Sequence, residues 1–338
     1  MPENKNKRPT IRDVAREAGV SYGTVSRVLN DQPDVAPETR AHVQRVMEKM
    51  GYQRNLGARM LTTRRSNIIE IMVMDVHFGI VLPRMGKFIT EAGYSTLYSE
   101  CTQDNFAETL DKAAARLVDG IILYAPQLHI SDEELLSISH GIPIVRRDYV
   151  LDSKLTWVGY SQQHATRMAL QHLIDNGHKQ IAEITGSLDF INPRLRHDTW
   201  LNILTSNGLE PGPEYTGDYS TFAKAMKTGY DGVCEFIKRG DSFSAMLVVN
   251  DFAAMGAISA LHEHGLSVPD DVSIVSFDDD AVASYLIPPL TTVRFDFNMQ
   301  NKLASQFLLE QINDSDYQHH QHILMPELIV RKSVKPLA

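Results

Sequence analysis

Three aspartates in a row, Asp278 to Asp280, close the apolar run VSIVSF. Asn250 closes AMLVV, Asp148 closes IPIVRR, and Arg196 lies in the loop and helix start after IAEITG. Carboxylates, an amide and a guanidinium at strand ends can hold hydroxyl groups in bidentate fashion. Tyr160, Phe190, Tyr219 and Phe295 offer rings to cover the apolar faces of a pyranose. Polar arms with aromatic plates make a site for a sugar. The aspartate run also raises a metal site or a paired-carboxylate enzyme as readings. Adjacent residues at a strand end point in different directions, and no partner cluster or phosphate loop accompanies them, so no metal, cofactor or catalytic site is expected. Taken singly, an Asp at a strand end also serves as a helix cap, and a lone aromatic as core.

A second set sits in SYGTVSRVLN, residues 21–30. Ser21 caps a short helix whose apolar stripe is Val25, Val28 and Leu29, leaving Tyr22, Gly23, Ser26 and Arg27 outward. Arg27 suits guanine O6 and N7 in a DNA major groove, and Tyr22 adds hydrogen-bonding and apolar contacts.

The elements that must carry this face are legible around it. Thr10 precedes IRDVAREAGV, with Ile11, Val14, Ala15 and Ala18 at helical spacing, Asp13 placed for a capping box and Gly19 as the stop. A third helix runs from Pro37 through ETRAHVQRVMEKMGY, although Ala36 offers no side-chain cap. Helix, tight turn, helix and a supporting helix predict a helix-turn-helix domain. A three-helix bundle need not touch DNA. The next segment favours it: residues 51–67 combine Leu56, Ala58 and Leu61 with Arg54, Arg59, Arg64 and Arg65. A helix of about two turns is unstable alone, and DNA plus a twin helix would hold it.

Charge divides the same way. Residues 1–67 carry 13 Lys and Arg against 7 Asp and Glu, a charge of +6, whereas the other 271 carry 20 against 35, a charge of −15. A basic head fits a polyanion, and the acidic body is solvated by its charge. With 338 residues, 43% of them hydrophobic, the chain is long enough for two or three domains. It shows neither a membrane-length apolar run nor a signal-peptide pattern, so a cytoplasmic location without membrane partners is expected. Cys101 and Cys234 are expected as two buried thiols. The run His319 to His322 is expected in an exposed connection before the last strand.

From residue 68 onward, IIEIMVM, GIILYA, IPIVRR, TWVGY, IAEITG, AMLVVN and VSIVSFD alternate with helical stretches such as TRMALQHLIDNGH and FAAMGAISALHEHGL. Buried parallel strands alternating with helices predict doubly wound α/β units. The length calls for two lobes, with ligands in the cleft at the strands' carboxyl ends.

TIRDVAREAGVSYGTVSRVLN, GYQRNLGARML, VVNDFAAMGAISAL, VSIVSFDDDAVASYLIPPLTTV and LMPELIVRKS together resemble the LacI/GalR family of bacterial transcriptional regulators over essentially the whole chain. The resemblance implies an all-α helix-turn-helix domain at 1–54, a hinge helix and linker at 55–67, and an effector-binding and dimerisation domain at 68–338. That domain would be two doubly wound parallel-sheet lobes like a periplasmic sugar-binding protein. Its N-lobe would span about 68–159 and 292–322 and its C-lobe about 160–291 and 323–338. Tyr22, Gly23 and Arg27 take base-reading positions, and Ala58 and Leu61 lie on the hinge helix, with the leucine wedged into the minor groove. The full set expected at DNA is Thr10, Ser21, Tyr22, Gly23, Ser26, Arg27, Asn30, Asn55, Ala58 and Leu61. The family positions carry over to Asp148, Tyr160, Arg196, Tyr219, Asn250, Asp278 and Phe295, and His77 and Phe78 match an effector-facing pair after the first strand. Phe295 and Leu123 stand where a lactose-responsive member has polar residues, which argues against lactose itself.

The implied function is a homodimeric repressor of a two-fold symmetric operator, released by a small sugar or sugar derivative in the interlobe cleft. Corepression by the ligand is the alternative, and a sugar-binding protein without DNA function is the reading from another class. The chain ends in VKPLA with no apolar heptad, so a dimer is the expected assembly limit.

Overall fold

The computed structural model describes residues 9–29, 31–52, 65–74 and 82–337, without the side chains of 82–85. The chain divides into two compact units, residues 1–66 and 67–338.

Among the described residues the first unit holds three helices, α1 (Ile11–Glu17), α2 (Tyr22–Leu29) and α3 (Pro37–Met50). A capping box starts α1: Asp13 N donates to Thr10 Oγ1 at 3.3 Å, and Thr10 N donates back to Asp13 Oδ2 at 3.0 Å. Ala18 and then Gly19, at φ +64°, end it. Ser21 Oγ accepts from Thr24 N at 3.0 Å to start α2. Val14, Val25, Val28, Val43 and Val46 form the core on which the helices close. Arg40 of α3 locks the α2–α3 loop by donating to Asp31 Oδ1 at 2.9 Å and the Gln32 carbonyl at 2.5 Å. The expected hinge helix lies almost entirely outside the described residues.

The second unit is built on two six-stranded sheets. The first uses β1 (Ile68–Met74), β2 (Ser95–Cys101), β3 (Gly120–Tyr124), β4 (Ile144–Arg146), β5 (Trp157–Tyr160) and β11 (Gln321–Leu324), in the order β11-β5-β4-β3-β1-β2. The second uses β6 (Ile181–Gly186), β7 (Glu214–Gly217), β8 (Ala245–Val248), β9 (Ser273–Asp278), β10 (Thr291–Arg294) and β12 (Glu327–Ile329), in the order β12-β10-β9-β8-β6-β7. All pairings are parallel except β10 with β12, so the second sheet carries one antiparallel edge strand. Apolar clusters cover both faces of each sheet, which is why the central strands read as unbroken apolar runs.

Helices α4 (Leu82–Glu91), α5 (Phe106–Ala115), α6 (Asp132–Ile138) and α11 (Phe297–Asn313) accompany the first sheet. Helices α7 (Gln162–Asp175), α8 (Ile191–Ser206), α9 (Phe222–Arg239) and α10 (Asp251–Glu263) accompany the second. On one face of the second lobe α9 and α10 cross backbone against backbone. A Cβ on Gly229 would stand 1.8 Å from the Ala253 carbonyl oxygen, and one on Gly256 1.9 Å from that of Met226.

Two expected lobe boundaries move. The sequence places the crossings at about 292 and 323; β10 stays in the second sheet and β11 in the first, so the chain crosses near Phe295 and Met325. Thr291 to Val293 are buried and pair with β9, and the chain leaves the sheet only when that register ends. His319 to His322 do not form a plain connection, because Gln321 and His322 begin the edge strand β11. Cys101 is buried, whereas Cys234 is only half-buried, packed beside rather than within a core.

Candidate functional site

The helix-turn-helix unit presents the outer face of α2. Tyr22 is 55% exposed and the Arg27 side chain 63% exposed, with Asp34 3.7 Å from its Nε. Gly23 is open, since an added Cβ would meet only Ser21 Oγ at 3.6 Å. Ser26 is half-buried rather than outward, and the hydroxyls of Thr10 and Ser21 are engaged in helix caps. Asn30, Asn55, Ala58 and Leu61 lie outside the described residues, as do His77 and Phe78 of the effector set.

In the second unit, a cavity of about 530 Å3 opens between the lobes at the carboxyl ends of both sheets. Asp148, Tyr160, Phe190, Arg196, Tyr219, Asn250, Asp278 and Phe295 all line it. Leu123 is wholly buried in the first-lobe core.

Each side chain is set by its element. Arg196, in the second turn of α8, donates from Nε to Gln162 Oε1 and from Nη1 to the Val249 carbonyl, both at 2.8 Å. Its guanidinium lies 4.0 Å from the Phe277 ring centroid, so the fork is fixed before any ligand arrives. Among the described residues Nη2 has no acceptor. Asn250 caps α10, its Oδ1 accepting from Ala253 N at 2.8 Å, which leaves the amide NH2 for a ligand. Asp148 is held by Arg146, Nη2 to Oδ2 at 2.8 Å and Nε to Oδ1 at 3.4 Å. Burial pushes the Asp148 carboxyl up and Arg146 opposes that push.

The three consecutive aspartates divide their work. Asp278 has φ +102°, and its carboxyl is pushed up to about 7 by burial, against the pull of Arg196 and with repulsion from Asp280. Asp279 bridges Arg294 at 2.7 Å and Arg331 at 2.6 Å, and Asp280 starts a 3-10 turn, Ala281–Ser284. Behind them Asp251, wholly buried, accepts from Ser276 Oγ, from Thr292 Oγ1 at 2.7 Å and from Asp280 N at 2.6 Å. That network fixes the loop carrying Asp278 to the start of α10.

The aromatic plates pack chiefly on one another. Tyr160 and Phe295, at two of the crossings, lie 4.9 Å apart, and Phe190 meets Tyr219 at 6.2 Å. Sequence reading missed Gln162, Asp251 and Arg147, although Arg147 ends the run IPIVRR, Asp251 follows AMLVVN and Gln162 lies two residues past TWVGY.

Raising the Asp278 carboxyl has a sign. The native state holds the proton more tightly than the unfolded chain, so stability is expected to fall as pH rises from about 4 to 7 and to level off above. Asp278→Asn should flatten that slope. Urea midpoints at pH 5 and 7.5 check it, and an unchanged slope counts against a raised Asp278.

The model for bacterial regulatory proteins of the lacI family matches residues 10–55, and that for a periplasmic binding protein-like domain matches 170–334. The HTH-type transcriptional regulator GalS of Salmonella typhimurium is 31% identical, covering 96% of both chains. The lactose operon repressor of Escherichia coli is 30% identical, covering 96% of this chain and 90% of its own. A crystal structure of the Lac repressor dimer bound to operator and the anti-inducer ONPF is similar at a TM-score of 0.88 and 29% identity, covering 97% of this chain and 100% of that one. The chain belongs to the lacI family of bacterial regulatory proteins. These relatives are regulators and repressors, not enzymes. Among the described residues no helix is long and apolar enough to cross a membrane, and no cluster could hold a metal ion.

Proposed function

We propose that this chain is a ligand-responsive transcriptional repressor. As a cytoplasmic homodimer it would bind a two-fold symmetric operator through paired helix-turn-helix units, and a small sugar or sugar derivative in the interlobe cleft would release it. The observation that carries the proposal is one cavity lined by polar arms and aromatic rings from both lobes, Asp148 from the first and Arg196, Asn250 and Asp278 from the second. A ligand touching both sets favours one lobe arrangement over another, and by linkage it must change the affinity of any state coupled to that arrangement. The experiment is fluorescence anisotropy on an operator selected from random duplex DNA, titrated with and without sugars. Weaker DNA binding on saturation supports release. Stronger binding makes the ligand a corepressor and overturns the sign.

On the DNA side, Tyr22, Gly23 and Arg27 form the base-reading face. Arg27→Ala is expected to cost on the order of 1–3 kcal/mol at a cognate half-site and to relax base preference there. Equal losses on selected and random DNA would make Arg27 a phosphate contact instead. Gly23→Ala should leave the unit folded, even stabilised by about 0.5–1 kcal/mol, because the site is open and α2 gains a better helix former. A changed operator selection with the helical signal intact is the expected readout. Leu61 keeps its role as a minor-groove wedge in this proposal.

A further inference from the structure

Arg147 directly follows β4 and lines the same cavity. It is 1% exposed, and among the described residues no carboxylate forms an ion pair with it. Its neighbour Asp148 is already held by Arg146. Its own partners are neutral: Nε donates to Asn301 Oδ1 at 2.5 Å, and the guanidinium lies 4.8 Å from the Tyr124 ring centroid and 5.4 Å from that of Phe297. Two buried donors are left without an acceptor, Arg147 Nη2 and Asn301 Nδ2. The Nε–Oδ1 bond joins the residues that carry them, and both residues line the cavity. A buried guanidinium and an adjacent amide NH2, both unmet, form a receptor for an anion, because a forked cationic donor is best satisfied by two oxygens sharing one negative charge. An uncharged hydroxyl would add no counter-charge to a buried guanidinium whose neighbouring carboxylate, Asp148, is already ion-paired with Arg146.

We propose that the effector is a hydroxylated small molecule bearing a carboxylate or phosphate, that Arg147 and Asn301 receive the anionic group, and that Arg196, Asn250 and Asp278 take its hydroxyls. This rests on the cleft being the effector site. The charge on one end of the ligand fixes its direction, acid toward the first lobe and hydroxyls toward the second, so one molecule engages both lobes.

Calorimetry on the full-length chain tests it by comparing D-glucose and D-galactose with D-glucuronate, D-galacturonate, D-gluconate and D-glucose 6-phosphate. At least one acid is expected to bind about tenfold or more tighter than its neutral parent. The uronates and gluconate against the 6-phosphate decide between carboxylate and phosphate. Arg147→Gln should erase the preference, and Asn301→Asp, which places a carboxylate beside Arg147, should erase it without removing the arginine. Circular dichroism identifies whichever variant is folded. A neutral sugar that binds as tightly as its acid, or an acid preference that survives in a folded variant, overturns the anion assignment and leaves the proposed function standing. A panel in which no member binds or shifts operator affinity overturns both.

Discussion

Arg196→Ala is expected to weaken the effector by roughly 2–4 kcal/mol, because the ligand oxygens it served are left buried without a donor. The pre-set geometry explains the size. Gln162 and the Val249 carbonyl already hold Nε and Nη1, and Phe277 lies under the guanidinium. Little ordering is lost on binding, so little of the contact is returned as entropy. Operator affinity without ligand should barely move, since the second unit is compact by itself and Arg196 belongs wholly to it. The ligand concentration that shifts DNA binding should rise about as much as the ligand's dissociation constant. Calorimetry and operator titrations on both proteins decide the matter. Unchanged affinity for every responsive ligand removes Arg196 from the site, and lost operator binding in a folded, ligand-free variant removes its independence from the DNA unit.

Gly229→Ala should be the more damaging change to the fold. Its Cβ would fall 1.8 Å from the Ala253 carbonyl oxygen, and neither group is the tip of a flexible side chain. Helices α9 and α10 would have to separate along a contact that also buries Ala225, Val233, Ala254 and Ala257. We expect a loss of about 3 kcal/mol or more, at the upper end for overpacked cores. Trp157 and Trp200 are the chain's two tryptophans and both lie in the second unit, so their fluorescence in urea reports its unfolding alone. Gly23→Ala is the control and should leave that transition in place. A Gly229→Ala midpoint equal to wild type would mean the two helices have room that their backbones do not show.

What was legible in the sequence depended on burial. Strands β1, β3, β6, β8 and β9 are covered on both faces and stand out as apolar runs. STLYSEC and EYTG, which form β2 and β7, alternate exposed and covered side chains at sheet edges and carry no such signal. QHIL, the strand β11, is exposed along most of its length and reads as polar connection. The site residues were found because strand-end position and residue type could be read together. Roles could not, since they depend on which neighbour claims each side chain. Asp148 is claimed by Arg146, and the Asn250 oxygen by its own helix. Arg147 lies between two charged neighbours, and that it is left without a carboxylate depends on Arg146 claiming Asp148 and on Asn301, far along the chain, meeting its Nε.

The stretch from residue 321 to 329 contributes the outermost strand of both sheets, β11 beside β5 and β12 beside β10. Five strands of each sheet precede it in one run of chain. During synthesis both lobes can therefore assemble most of their cores while each keeps an open edge of unpaired backbone, the feature that recruits strands from other chains. Gln321 must find Trp157, and Ile329 must find Thr292, across long separations, and such pairings form slowly. The newborn chain thus passes through a window of stickiness, and one short ribbon of late-arriving residues closes it for both lobes at once.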